Sequence, residues 1–103
     1  MTESSETDSI ISKYPDKIPL IIEATNNAPK MQKKKFLVPT NLTVGQLIFI
    51  IRKRVKLDKS ESIFIFIDRS FIGTQSLMDE LYNKHKGKDG FLHVKYSLQN
   101  TFG

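Results

Sequence analysis

Apolar residues occur in short runs along this chain, and the first two runs predict a β-hairpin. Residues 17–23 (KIPLIIE) are rich in β-branched side chains, and residues 34–38 (KKFLV) form a second such run after a polar loop. Both have the length and composition of strands, and their closeness in sequence favours antiparallel pairing. Pro19 lacks an N–H group, so the first strand should lack one ladder partner there or contain a bulge. Pro39 should end the second strand for the same reason.

The periodicity then changes to that of a helix over residues 43–55. Thr43 and Gln46 have the spacing of a capping box, in which each side chain binds a free N–H group of the first turn. Apolar side chains recur at i, i+3 and i+4 on one face: Leu47, Ile50 and Ile51. The basic run at residues 52–54 suits the negative end of the helix dipole.

The remaining runs predict two strands and a second helix. Residues 62–67 (SIFIFI) are continuously apolar, which is typical of a strand that is buried on both faces. Residues 68–74 should be a connection. Residues 76–84 predict a short helix with Ser76 and Asp79 as its capping box, and residues 91–96 alternate as a last strand.

The element order β-β-α-β-α-β predicts an α+β fold. Two strands form a hairpin, a helix crosses over, and the later strands complete a mixed four-stranded sheet. This is the ubiquitin-like β-grasp arrangement, with the second strand at the sheet edge and the main helix beside it. Residues 1–13 should be a polar, partly mobile segment in which residues 8–13 can form a helical turn. Residues 14–97 form the domain, and residues 98–103 form a tail.

Composition limits the functions that this domain can have. The 103 residues include no cysteine, which excludes disulfides, thiolate catalysis and cysteine–zinc sites. The acidic, serine-rich N-terminus lacks the apolar core of a secretory signal, and no apolar run approaches the roughly 18 residues of a membrane span. A cytoplasmic protein is the simplest interpretation.

Positive charge is concentrated around the predicted hairpin and main helix. The net charge is +5, and residues 30–56 contain eight basic residues and no acidic one. Such a band favours nucleic acid, anionic lipid or acidic peptides, although it can also be merely a solvated surface. Phe36 could stack on a base, but no nucleic-acid-binding motif is present, so we expect no nucleic-acid partner. An edge strand flanked by apolar residues and lysines fits a peptide ligand better.

Catalytic signals are weak. His85 and His93 are the only histidines, and they lack metal-ligand spacing and supporting cysteines. His85, beside lysines near a helix end, should be solvated. Gly45 stands alone without a phosphate-binding pattern. We therefore expect no enzyme activity, no metal and no cofactor.

Several motifs resemble the GABARAP family of lipid-conjugated, ubiquitin-like autophagy modifiers. They are KYPDKIPLI, KKKFLVP, LTVGQLIFIIRKR, IFIF, LY-x-x-HK, DGFL, YS and the terminal NTFG. They occur in the same order as in that family and cover residues 13–103. Relatives often carry residues beyond the glycine that a protease removes, whereas this sequence ends at Gly103, so we expect no such processing.

The resemblance implies a peptide groove with two pockets and a charged rim. An aromatic-x-x-aliphatic segment flanked by acids would bind alongside the second strand. The implied aromatic pocket consists of Glu6, Ile10, Pro19, Ile21, Lys35, Leu37 and Phe91. The implied aliphatic pocket consists of Phe36, Val38, Pro39, Leu42, Leu47 and Ile50. The implied rim consists of Lys17, Lys33 and Arg54.

The resemblance also implies conjugation of Gly103 to phosphatidylethanolamine. The partners would be activating and conjugating enzymes of the ubiquitin-like pathway, together with cargo receptors that carry the peptide motif. The lipidated form would lie on the autophagosomal membrane. Two alternatives remain open: a non-conjugated adaptor that uses only the groove, and a sibling modifier that is conjugated to a protein lysine.

Overall fold

The computed structural model describes residues 5–26 and 28–100. Helices and strands follow one another along this part of the chain in an α-β-β-α-β-β-α-β order. They are α1 (Ser5–Lys13), β1 (Lys17–Ala24), β2 (Lys35–Pro39), α2 (Val44–Arg54), β3 (Phe64–Ile67), β4 (Ser70–Ile72), α3 (Met78–His85) and β5 (Leu92–Ser97). α1 begins earlier than the predicted helical turn, at Ser5. None of these helices is both long and apolar enough to cross a bilayer.

The strands form one mixed sheet in the order β2-β1-β5-β3-β4. β1 and β5 are parallel neighbours in the middle, and the other pairs are antiparallel. The ubiquitin-like α+β prediction is therefore confirmed, and so is the position of β2 at an edge. The sheet has five strands rather than the predicted four.

The additional strand, β4, lies in the segment that was predicted to be a connection. Ile67 pairs with Ser70, so only Asp68 and Arg69 join β3 to β4. Both linking residues have positive φ, 51° and 67°. A two-residue hairpin loop with this geometry matches the twist of its strands but usually contains Asn or Gly. Asp-Arg carries little of that signal, which is why the sequence prediction of a connection was wrong here.

The capping box of α2 is confirmed. The Gln46 N–H donates to the Thr43 hydroxyl, and the Gln46 side chain accepts from the Thr43 N–H at 2.9 Å. The fully buried face of the helix consists of Val44, Leu47 and Ile51. Ile50 is only half-buried, at the margin of this face. The helix therefore packs its apolar face on the sheet and leaves one side of Ile50 accessible.

The predicted capping box of α3 is wrong. Leu77 occupies the N-cap position, and no side chain caps this helix. The first N–H groups are bound instead by backbone carbonyls of the loop before α2. Met78 N–H donates to the Leu42 carbonyl and Asp79 N–H donates to the Thr40 carbonyl. Because distant backbone satisfies these donors, a side-chain cap is not needed.

The main core lies between the sheet and helices α2 and α3. Alternate residues of β1, β2, β3 and β5 point into it, together with apolar residues of the two helices. Phe36 and Val38 are the β2 residues on this face, whereas Lys35 and Leu37 point to the opposite face. α1 packs against β1 on that opposite face. The edge of β2 therefore separates two surfaces of different composition.

Candidate functional site

The free edge of β2 offers main-chain groups to a ligand. The Ile22 N–H donates to the Lys34 carbonyl, and the β1–β2 register then places Phe36 and Val38 in the hydrogen-bonded pairs of the ladder. The intervening residues Lys35 and Leu37 therefore direct their N–H and C=O groups outward. A guest strand could pair with both, and Pro39 supplies no N–H group beyond them.

The register also explains Pro19, for which a missing ladder partner was predicted. Its ring nitrogen faces β5, because N–H groups alternate sides along a strand and Ile22 N–H faces β2. Pairing of β1 with β5 begins only at Leu20. Pro19 therefore lies where no donor is required.

A cavity of about 260 Å³ opens beside this edge, between β2 and α1. Its lining combines apolar side chains with two lysines and one carboxylate: Glu6, Ile10, Lys33, Lys35, Phe36, Leu37 and Phe91. Five of the seven predicted aromatic-pocket residues are among them. The other two, Pro19 and Ile21, pair with Leu37 and Lys35 in the β1–β2 register and lie on the same face, outside the cavity lining.

A salt bridge lies across this cavity. The Lys35 ammonium is 2.9 and 3.0 Å from the two oxygens of Glu6, and it also lies 5.3 Å from the centre of the Phe91 ring. Both partners of the ion pair are about half-exposed, so the pair is screened by water. A ligand with its own carboxylates can therefore replace Glu6 as the partner of Lys35 at little cost.

Asp89 and Gly90 fasten α1 to the rest of the domain. The buried Thr7 hydroxyl donates to the Asp89 carbonyl at 2.9 Å. Gly90 has a φ of +84°, and a Cβ atom built on it would lie only 1.9 Å from the Thr7 oxygen. Glycine is therefore required here both for its conformation and for the approach of α1. We call the contact of Thr7 with Asp89 and Gly90 the α1 clasp.

The Asp89 carboxylate orders the same turn from the other side. Desolvation by burial raises the pKa of Asp89, but hydrogen bonds from the Phe91 N–H (3.0 Å) and the His93 ring (2.8 Å) outweigh it and leave this pKa below its ordinary value. Asp89 therefore positions Phe91, which lines the cavity. Sequence reasoning missed Thr7 and Asp89, although the Asp-Gly dipeptide is a turn signal.

The predicted aliphatic-pocket residues do not lie on one face of β2: Phe36 and Val38 point to the core, whereas Pro39 points to the outer face with Lys35 and Leu37. Phe36, Val38 and Leu47 are buried within the core. Leu42 and Ile50 are half-buried and Pro39 is exposed, so these three provide the accessible apolar surface. A peptide along the β2 edge would therefore meet the open cavity and the accessible apolar atoms of Leu42, Ile50 and Pro39.

The three predicted rim residues do not lie together. Lys33 and Arg54 lie 5.2 and 5.0 Å from the centre of the Phe36 ring, close to the cavity. Lys17 pairs with Pro39 at the opposite end of the β1–β2 ladder. Cations are thus available near both ends of a bound strand.

The histidines make structural contacts. His85 lies 2.7 Å from Asp68, and its side chain is 18% exposed, so the prediction of a solvated His85 was wrong. His93 contacts Asp89. Within residues 5–26 and 28–100, no group of three or more His, Asp or Glu side chains is arranged to hold a metal ion.

A protein family and curated relatives match nearly the whole chain. The family described as "Autophagy protein Atg8 ubiquitin like" matches residues 2–103. Autophagy-related protein 8 of Mycosarcoma maydis is 50% identical over 101 residues, which cover 96% of this chain and 86% of that protein. Autophagy-related protein 8a of Arabidopsis thaliana is 46% identical over 101 residues, which cover 96% of this chain and 83% of that protein.

Solved structures are similar along nearly the whole chain. Trypanosoma brucei ATG8 has a TM-score of 0.89 at 35% identity and covers 98% of this chain and 89% of its own. Plasmodium falciparum Atg8, solved in complex with a Plasmodium falciparum Atg3 peptide, has a TM-score of 0.84 at 37% identity. The aligned part covers 97% of this chain and 90% of that one.

Proposed function

Because this chain belongs to the Atg8 family of ubiquitin-like autophagy proteins, we propose that it binds acidic aromatic-x-x-aliphatic peptides and is joined through Gly103 to phosphatidylethanolamine. We place it in the GABARAP branch on the motifs of its sequence. Its partners are the enzymes that activate and conjugate it and the cargo receptors that carry the peptide motif. It resides in the cytoplasm until lipidation places it on the autophagosomal membrane.

The observation that carries the peptide proposal is the open edge of β2 between two apolar surfaces. Lys35 and Leu37 offer main-chain groups for strand addition, and their side chains line the cavity of about 260 Å³. This volume suits an aromatic side chain, and the accessible apolar atoms near Pro39 suit an aliphatic one. A relative, Plasmodium falciparum Atg8, has been solved in complex with a Plasmodium falciparum Atg3 peptide, which supports a peptide partner for this chain as well.

Truncation of Leu37 should weaken peptide binding. We expect a wild-type dissociation constant on the order of micromolar, about −8 kcal/mol, for a short strand with two modest pockets. Leu37→Ala should cost roughly 1–2 kcal/mol, because Leu37 is 41% exposed in the free protein and would be covered by the ligand. Calorimetric titration with an acidic aromatic-x-x-aliphatic peptide measures both values.

Phe71→Ala provides the matched control for Leu37→Ala. Phe71 is also an exposed apolar residue on an edge strand, but on β4, at the opposite edge of the sheet. Its truncation should leave peptide affinity within about twofold of wild type. If the peptide leaves the amide signals of residues 35–50 of the wild-type protein unmoved, the groove assignment is wrong.

Salt dependence distinguishes a peptide from a nucleic-acid ligand. Binding held by apolar pockets and main-chain pairing should weaken only a few-fold between 50 and 200 mM salt. A protein making many phosphate contacts would lose about 10³–10⁵ in affinity over that range through counterion release. Fluorescence anisotropy with a peptide and with a single-stranded oligonucleotide makes the comparison. Tight oligonucleotide binding at physiological salt without peptide binding would overturn the proposal.

A further inference from the structure

A second surface, which adjoins the β2 edge, is strongly basic. A groove of about 520 Å³ runs between the β1–β2 loop and the end of α2. Its lining contains five cationic side chains and no acidic one: Pro29, Lys30, Met31, Gln32, Lys33, Lys53, Arg54, Val55 and Lys56. Met31 and Val55 are buried and form an apolar floor. We call this surface the basic groove.

The cations of the basic groove are available to a ligand. All five are exposed, and none of them forms an ion pair with a carboxylate in residues 5–26 and 28–100. Lys34 and Lys35, by contrast, are already paired with Glu23 and Glu6. Lys33 and Arg54 belong both to this groove and to the rim of the peptide site. Lys30, Lys53 and Lys56 have no role in the proposed function.

The groove lies at the end of the domain from which the C-terminal tail departs. Pro29, in the groove lining, accepts a hydrogen bond from the Tyr96 hydroxyl at 2.5 Å. The N–H of Thr25, the residue directly after β1, donates a hydrogen bond to the Tyr96 carbonyl at 2.9 Å. β5 ends at Ser97, and the six residues after it can span no more than about 20 Å when fully extended. Anything attached to Gly103 is therefore held within about 20 Å of Ser97, at this end of the domain.

We propose that the basic groove binds the anionic headgroups of the bilayer to which this chain is attached. This inference rests on the proposed conjugation, because the lipid anchor brings the groove within reach of the surface. Clustered lysines and arginines are attracted to anionic lipid within a Debye length of it. A tail anchor alone would leave the domain free to rotate. Binding at the groove would fix the orientation of the domain on the bilayer.

The test uses the full chain and vesicles of phosphatidylcholine with 20% phosphatidylserine. Lys30→Ser, Lys53→Ser and Lys56→Ser are combined, because these residues lie outside the peptide rim. Each cation near an anionic surface contributes about a fivefold factor, so the triple variant should bind these vesicles at least tenfold more weakly in a flotation assay. Vesicles of pure phosphatidylcholine should bind neither protein.

A matched control removes the same net charge from a segment that does not line the basic groove. Lys84→Ser, Lys86→Ser and Lys88→Ser alter exposed residues in the last turn of α3 and in the loop that follows it. This variant should bind the anionic vesicles within about twofold of wild type. Equal losses of vesicle affinity for the two triple variants would overturn the proposal, because net charge alone would then account for binding. An unchanged vesicle affinity of the groove variant would overturn it too.

Two further measurements separate this inference from the proposed function. The groove variant should bind the acidic peptide like wild type and should still be conjugated through Gly103 in cells. If its vesicle binding is unchanged but its peptide affinity falls, the groove extends the peptide site and the headgroup assignment is wrong. The amide signals of residues 29–33 are also compared in soluble phosphoserine and in vesicles at equal headgroup concentration. If phosphoserine shifts these signals as strongly as the vesicles do, the groove binds free anions rather than the bilayer surface.

Discussion

The Gly103→Ala protein should fold and bind peptide like wild type, yet its membrane-bound form in cells should fall to background. In the proposed conjugation, an enzyme brings the Gly103 carboxylate to a catalytic thiol. This chain contains no cysteine, so that thiol belongs to a partner. Glycine permits a close approach of the backbone that a β-carbon would resist. The lipid amide then supplies two acyl chains, whereas a single chain gives only marginal binding.

Fractionation of cells into membrane and soluble pools measures this effect. Gly73→Ala is the matched control, because a Cβ atom at Gly73 would meet no other atom within 4 Å. That variant should reach membranes at the wild-type level. Persistence of the Gly103→Ala protein on membranes would show that conjugation is not how this chain works. Wild-type protein that appears only as conjugates to other proteins would indicate the sibling modifier instead.

Gly90→Ala should loosen the α1 clasp and damage the aromatic pocket. A side chain at this positive φ costs about 1–2 kcal/mol. Forcing it into packed atoms costs typically a further 1–3 kcal/mol. We therefore expect the free energy of unfolding to fall by about 2–5 kcal/mol, which lowers the Tm by roughly 10 °C or more for a domain of this size. Peptide affinity should fall too, because Glu6 and Ile10 move with α1.

Thermal unfolding, the amide signals of residues 6–10 and a peptide titration together test the clasp. The Gly73→Ala protein again provides the control for a glycine-to-alanine change and should unfold within a degree or two of wild type. If Gly90→Ala leaves both the Tm and the peptide affinity unchanged, α1 is not held in the way that the contact of Thr7 with Asp89 indicates.

Elements with local signals were predictable from the sequence. The capping box of Thr43 and Gln46 is complete within one helical turn, so its residues specify the start of α2 without help from the rest of the fold. Pro19 and Pro39 likewise mark positions where no N–H donor is needed. The order of strand and helix segments along the chain was then sufficient to predict the fold class.

Features that depend on distant backbone were not predictable. Ser76 and Asp79 have capping-box spacing, but the carbonyls of Thr40 and Leu42 take over the capping of α3. β4 is only three residues long and follows a tight turn without glycine. In both cases the local sequence is compatible with several conformations, and tertiary contacts select the one observed.

The candidate site was predicted mainly through family resemblance. Side-chain alternation alone places Lys35 and Leu37 on one face of β2 and Phe36 on the other. It cannot reveal that Phe91, from a distant part of the chain, completes the cavity, or that Thr7 holds α1 over it. The basic groove likewise contains lysines that are more than twenty residues apart in sequence, such as Lys30 and Lys53. The fold brings them together by placing the β1–β2 loop beside the end of α2.

The central parallel pair of the sheet has a consequence for how the chain folds. Leu20 and Leu92 are partners in the β1–β5 ladder although they come from opposite ends of the sequence. The β1–β2 and β3–β4 hairpins are local and can form early, but they join into one sheet only through β5. Closing so large a loop is entropically costly, and topologies of high contact order fold slowly. Until β5 docks, the inner edges of both hairpins are unpaired, and chaperones have an interval in which to protect them.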